Sequence, residues 1–324
     1  MILHSPAAIA TVADGPLIEL AHLHRYFGRT KAVYDVNFSV GRGQVFGYIG
    51  PNGAGKTTSM RILATLDMPT HGDAFVDGFS VVQDADRVRR RLGFMPDYFD
   101  TQPNIVVGEY LDFFARAYGL MGPERQRALR HVMSFTRLDG LIEKPIDGLS
   151  KGMKQRLCLG RAMIHDPPVM ILDEPAAGLD PRARIQLREM IGQLAADGKA
   201  ILVSSHILTE LAEMCDTVAI IEQGQLLATG TVEEIHRARQ ARRAVHLRVL
   251  GGAEPVRVML AGRDDIHELH VVGETADFLH DGSLESEADL LRDFVTAGIR
   301  VAAFGSRAKS LEDVFMQVTE GLVQ

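Results

Sequence analysis

Cysteine is scarce in this 324-residue chain, and so are long uncharged runs and any surplus of basic residues. The two cysteines, Cys158 and Cys215, have neither metal-ligand spacing nor the density of a disulfide framework. They read as small buried hydrophobes, and their scarcity points to a reducing, cytosolic location. The longest stretches free of Asp, Glu, Lys and Arg are residues 1–13 and 43–55, whereas a membrane-crossing helix needs about 20 apolar residues. The N-terminus has no Lys or Arg ahead of its weakly apolar stretch and makes a poor signal peptide. Lys and Arg number 35 against 42 Asp and Glu, a formal charge of −7, which argues against broad nucleic-acid binding. The remaining composition, 46% apolar and 24% charged, suits a soluble globular chain with a substantial core.

Residues 1–16 read as a loose tail ending at Gly15-Pro16. Apolar, β-rich runs at 33–40, 44–50, 169–175, 200–206 and 217–224 then alternate with helical patterns such as 182–197 and 208–215. That alternation predicts an α/β fold with a mostly parallel sheet. A helical subdomain, residues 106–166, interrupts it. A basic stretch, 237–243, reads as a solvated linker to a second unit, 244–324. There the order strand, helix, strand, strand, helix, strand predicts a small α+β, ferredoxin-like domain. Ser310 with Asp313 resembles a capping box opening a last helix to Thr319.

The strongest motif is Gly50-Pro51-Asn52-Gly53-Ala54-Gly55-Lys56-Thr57-Thr58. It fits G-x-x-x-x-G-K-[ST], follows an expected strand and opens an expected helix over 57–65. The glycines let backbone N–H groups wrap a phosphate, and the helix N-terminus adds partial positive charge. Lys56 is expected to reach the β- and γ-phosphates, Thr57 to ligate Mg²⁺ and Thr58 to contact the α-phosphate. The core is therefore expected to be a P-loop NTPase. The run Val169-Met-Ile-Leu-Asp173-Glu174 delivers two carboxylates to the carboxyl edge of the sheet. Asp173 suits the Mg²⁺ shell, and Glu174 is placed to polarise an attacking water.

Between these elements, Leu149-Ser150-Lys151-Gly152-Met153-Lys154-Gln155-Arg156 resembles the signature motif of ATP-binding cassette (ABC) ATPases. Ala177-Gly178-Leu179-Asp180 is similar to that family's D-loop, and Ser204-Ser205-His206 to its switch histidine. All five elements occur in the family's order over residues 17–236. The resemblance implies that Ser150 and Gly152 meet the γ-phosphate of ATP held by a second cassette, that Asp180 crosses the same interface, and that His206 orients the nucleophile. It also implies that Phe27, just before Gly28, stacks on adenine; the plain alternative is a core aromatic. Where the family's glutamine leads into the helical subdomain, this chain has Asp97, a candidate contact to Mg²⁺ or water, with Gln102 five positions later. Lys151 and Met153 stand where Gly and Gln are common, and Lys151 is expected to add to phosphate attraction.

Ser310-Leu-Glu-Asp-Val-Phe315, after a small α/β domain, resembles the tail of ATPases in the branch exporting drugs and polysaccharides. The implied protein is an ATP-hydrolysing transporter subunit, peripheral on the cytoplasmic face of the membrane, using ATP and Mg²⁺. It needs a second cassette, by preference a copy of itself, and a separate integral membrane permease, with no nucleic acid as partner. A soluble ABC ATPase acting on ribosomes or chromosomes is the alternative. Against it stand a single motif set and the absence of sustained heptads. A regulatory ATP binder with little turnover fits poorly with Glu174 and His206 both present.

Overall fold

The computed structural model describes residues 15–98, 104–231, 234 and 242–308. Gln102, most of the expected tail and linker, and the 310–319 helix lie outside the described residues. Two compact units divide at Thr229/Gly230.

The first unit contains two sheets. Strands β1 (Ile18–Phe27), β2 (Thr30–Val40), β4 (His71–Val76) and β5 (Phe79–Ser80) form an antiparallel sheet in the order β2-β1-β4-β5. Along β2, Val36, Phe38 and Val40 are buried between exposed residues, the alternation of a strand with one wet face. This sheet was only partly legible. Phe27, which lies ahead of 33–40, the first run that reads as a strand, closes β1. The reason lies in irregular pairing: His22 has φ 47, and Gly72 of β4 leaves no room for a Cβ, which would stand 1.8 Å from the His22 carbonyl oxygen.

The second sheet is mostly parallel. It contains β3 (Val45–Ile49), β6 (Leu92–Met95), β7 (Val169–Leu172), β8 (Ala200–Ser205), β9 (Thr217–Glu222) and β10 (Gln225–Thr231), in the order β10-β9-β3-β8-β7-β6. Every residue of β3, β7 and β8 is buried, which explains their near-continuous apolar sequences. Parallel register sets Ile49 of β3 opposite Ser205 of β8, and Leu172 of β7 opposite Val203. The carboxyl ends of three neighbouring strands thus share one edge. β9 and β10 are joined by Gln223-Gly224, both at positive φ, as a tight hairpin turn requires.

Helix α1 (Lys56–Leu63) follows β3, and α2 (Ala85–Arg91) precedes β6. The helical stretch holds α3 (Val107–Ala117), α4 (Gly122–Phe135) and α5 (Lys151–Met163). α5 also belongs to the core. A Cβ on Gly93 of β6 would lie 2.2 Å from the Ala162 carbonyl oxygen, so helix and strand touch backbone to backbone. α6 (Pro181–Ala196) buries Leu187, Met190, Ile191 and Leu194, one stripe at helical spacing. α7 (Leu208–Ala212) stops short of the expected Cys215. Cys158 is buried, and burial pushes its thiol up to about 11; Cys215 is only half-buried.

The second unit is β11 (Arg242–Val249), α8 (Glu254–Leu260), β12 (Ile266–Val272), β13 (Thr275–Asp281), α9 (Leu284–Thr296) and β14 (Val301–Ala308). Its sheet, β12-β13-β11-β14, is antiparallel throughout, the ferredoxin-like arrangement. Val245, Leu247, Phe278, Leu290 and Phe294 fill its core. Arg243 enters that core to meet buried Glu287 at 2.5 Å, and Ser306 donates to the same carboxylate.

Candidate active site

The phosphate-loop motif occupies the turn between β3 and α1. Gly50 and Gly55 are there because nothing larger fits. A Cβ on Gly50 would lie 2.3 Å from the Ile221 carbonyl oxygen, and one on Gly55 2.3 Å from that of Ala32. Gly55 also has φ 107, in the region that favours glycine. α1 begins with no side-chain cap and no acidic residue in its first turn. Its first N–H groups are therefore left to an anion. By contrast α5 and α6 are capped by their own residues: Ser150 Oγ accepts from Met153 N at 3.3 Å, and Asp180 Oδ1 from Ala183 N at 2.9 Å.

Lys56 is 5% exposed, and its ammonium is turned into the loop. Nζ donates to the Gly50 carbonyl at 2.6 Å and the Pro51 carbonyl at 3.3 Å, and stands 3.4 Å from Glu174 Oε1. Glu174 Oε2 in turn lies 2.9 Å from His206 Nδ1. Three side chains, one from the start of α1 and two from just beyond the ends of β7 and β8, thus form a continuous row. Glu174 has φ 47, a backbone strain held by its N–H donating to Ser204 Oγ at 2.9 Å.

Ser204 Oγ also donates to Asp173 Oδ1 at 2.5 Å. Sequence reasoning gave Ser204 no role beyond marking the switch motif. Here it fixes both carboxylate residues at once. Asp173 is 1% exposed, and among the described residues its Oδ2 has no hydrogen-bond partner. Burial pushes its carboxyl above the ordinary range; hydroxyls of Ser204 and Thr57 oppose this, while Asp97 and Glu174 add to it. A buried, spare carboxylate oxygen beside a threonine hydroxyl and a second acid is a hard donor set that fits Mg²⁺. Among the described residues no cluster of three or more His, Cys, Asp or Glu could hold a metal, so a cation here would also need phosphate oxygens and water.

Of the remaining candidates, Asp97 is near enough to Asp173 to raise its carboxyl further. The hydrogen bonds of Ser150 and Asp180 are local helix caps. Gly152 packs on the start of α6, where a Cβ would lie 3.2 Å from Ala183 Cβ. Lys151 places its ammonium against Gly178, where a Cβ would lie 2.3 Å from Nζ. The signature and D-loop segments are therefore packed together. Asp97 is exposed just beyond β6. Phe27 is 49% exposed, so the core-aromatic alternative fails.

Comparison with known proteins identifies the family. The sequence profile of the family described as ABC transporter matches residues 33–177. A Nod factor export ATP-binding protein I from Ralstonia nicotianae is 36% identical over 224 residues, 69% of this chain and 70% of that protein. A protein of the same name from a Rhizobium species is 32% identical over 302 residues, 93% and 96% of the two chains. A solved structure described as the ATP-binding subunit of an ABC transporter superposes with a TM-score of 0.63 at 33% identity, covering 68% of this chain and 92% of that one. The chain belongs to the ABC transporter family, as an ATP-binding subunit that hydrolyses ATP.

Proposed function

We propose that this chain powers export through a separate membrane permease by closing, as a pair of identical cassettes, around two ATP molecules. The observation that carries the reading is the row Lys56–Glu174–His206, 3.4 Å and 2.9 Å between partners, at the mouth of an uncapped helix. The phosphates of ATP lie along Gly50, Pro51, Asn52, Gly53, Ala54, Gly55 and the first turn of α1. Lys56 neutralises the β- and γ-phosphates, and Thr58 contacts the α-phosphate. Thr57, Asp173 and Asp97 would hold Mg²⁺, which supplies charge neutralisation at the phosphate oxygens. Glu174 accepts a proton from the attacking water, and His206, hydrogen-bonded to it, orients that water against the γ-phosphate.

Within one chain the caps of α5 and α6 serve only their own helices, which supports a second copy as their target. Ser150 and Gly152 of that copy then close on the γ-phosphate, with Asp180 crossing beside them. Phe27, exposed at the end of β1, stacks on adenine. The cassette is assigned within residues 17–236 and the accessory domain within 244–324; Arg242 and Arg243, read from the sequence as the end of the 237–243 linker, belong to β11 of the second unit. Among the described residues no helix is long and apolar enough to cross a membrane, which supports a distinct permease. Work at the cytoplasmic face follows from the need for ATP, and the Nod factor export proteins among its relatives favour export.

Glu174→Gln tests the reading. It should keep ATP binding, lower turnover by about a hundredfold or more, and trap an ATP-dependent dimer in size-exclusion chromatography. Turnover at the wild-type rate would remove Glu174 from the base position.

A further inference from the structure

We propose that Arg25 and Asp67 form a positioning pair for the nucleobase, an inference that rests on the reading of Phe27 as the adenine platform. Phe27 closes β1 and pairs with Thr30 across the hairpin to β2. Two residues further along β2, Ala32 packs its carbonyl against Gly55, so the hairpin flanks the phosphate loop. The Arg25 guanidinium carbon lies 4.4 Å from the Phe27 ring centroid, over one face. With that face covered and the residue still 49% exposed, the opposite face is left for a flat partner.

Arg25 is itself held. Its Nη2 lies 2.8 Å from Asp67 Oδ1, with side-chain exposures of 24% and 20%. Asp67 Oδ1 also accepts from Met68 N at 2.8 Å, and Asp67 N donates to the Arg61 carbonyl at 3.3 Å. The anchor is therefore fixed to α1, the helix that begins at Lys56. A chain of contacts runs from the phosphate loop along α1 to Asp67, Arg25 and Phe27. It sets the platform at a fixed place relative to the phosphates. A cation on one face of an aromatic ring is attracted to its π-electrons and holds the ring's orientation. Arg25 touches the platform, not the base.

The test compares the affinity of the full chain for ATP with that for inorganic tripolyphosphate, which has no base. Arg25→Met keeps the apolar stem and removes the charge. It should weaken ATP binding about two- to tenfold and leave tripolyphosphate binding unchanged. Arg25→Lys should restore part of the loss, and Asp67→Asn should reproduce part of it. The KM for ATP should rise while kcat stays the same. Equal losses for ATP and tripolyphosphate would overturn the proposal, because Arg25 would then serve the fold. No change would overturn it too. So would tighter ATP binding, since the guanidinium would then occupy the place of the base. Phe27→Ala separates the two layers. If it leaves the ratio of the two affinities intact, the adenine reading fails. If it lowers the ratio and Arg25→Met does not, only the pair fails.

Discussion

At the scale of single residues, the site concentrates conflicts that folding alone would avoid. Asp173 is a buried carboxylate with one oxygen unpartnered among the described residues, and Glu174 is a non-glycine residue at φ 47. Both features oppose stability, by burying an unsatisfied acceptor and by backbone strain. Asp173→Asn removes the charge while keeping an acceptor for Ser204. It should stabilise the protein by about 1–2 kcal/mol in thermal melts without nucleotide, and it should sharply reduce hydrolysis. Lys56 is the opposite case, a buried cation with three oxygen neighbours. Lys56→Ala should lower ATP affinity about tenfold or more, measured by equilibrium binding, and unchanged affinity would refute a phosphate role. Ser204 shows what a residue-level reading misses. Its hydroxyl serves Asp173 and Glu174 because β7 and β8 are neighbours, a fact of pairing that no local pattern contains.

At the scale of elements, the helices divide by how their first turns are satisfied. α1 starts bare, whereas α5 and α6 start under Ser150 and Asp180. Capping and nucleotide recognition by Ser150 are separable. Ser150→Ala should cost about 1 kcal/mol of stability through the lost cap. Ser150→Asp keeps a good cap, so melting should hardly move. Its negative charge should nevertheless suppress ATP-driven dimerisation, read by light scattering in the Glu174→Gln background. The signature arginine works at this scale as well: Arg156 Nη1 donates to the Thr136 and Arg137 carbonyls at 3.2 Å, tying α5 to the end of α4. The buried strands β3, β7 and β8 were readable because both their faces are apolar. β1 and β4 were not, because His, Arg and Asp interrupt them and their pairing is irregular.

At the scale of the whole molecule, two units with separate cores are expected to unfold in two steps, which calorimetry of the full chain would resolve. The step belonging to the second unit should respond to acid through Asp265. The hydrogen bond from Arg263 holds that carboxyl down at about 2 from an ordinary 3.8, against a smaller opposing effect of burial. A folded value below the unfolded one means the stabilisation is present above 3.8 and is lost as pH falls from there through about 2. Asp265→Asn should therefore lower the second melting step at neutral pH and flatten its decline across that acid window.

The chain alone determined the chemistry, because each phosphate-handling motif is a contiguous run whose meaning is set by local geometry. Glycines at 50 and 55, an uncapped helix at Lys56 and acids after an apolar strand need no distant partner to be recognised. The βαββαβ order of the second unit was equally local. Tertiary structure decided which runs meet. It placed Glu174 between Lys56 and His206, made Ser204 the shared hydrogen-bond partner of Asp173 and Glu174, and set Arg25 behind Phe27. Those outcomes depend on strand order and register, which join residues far apart in sequence and leave no periodic trace along the chain.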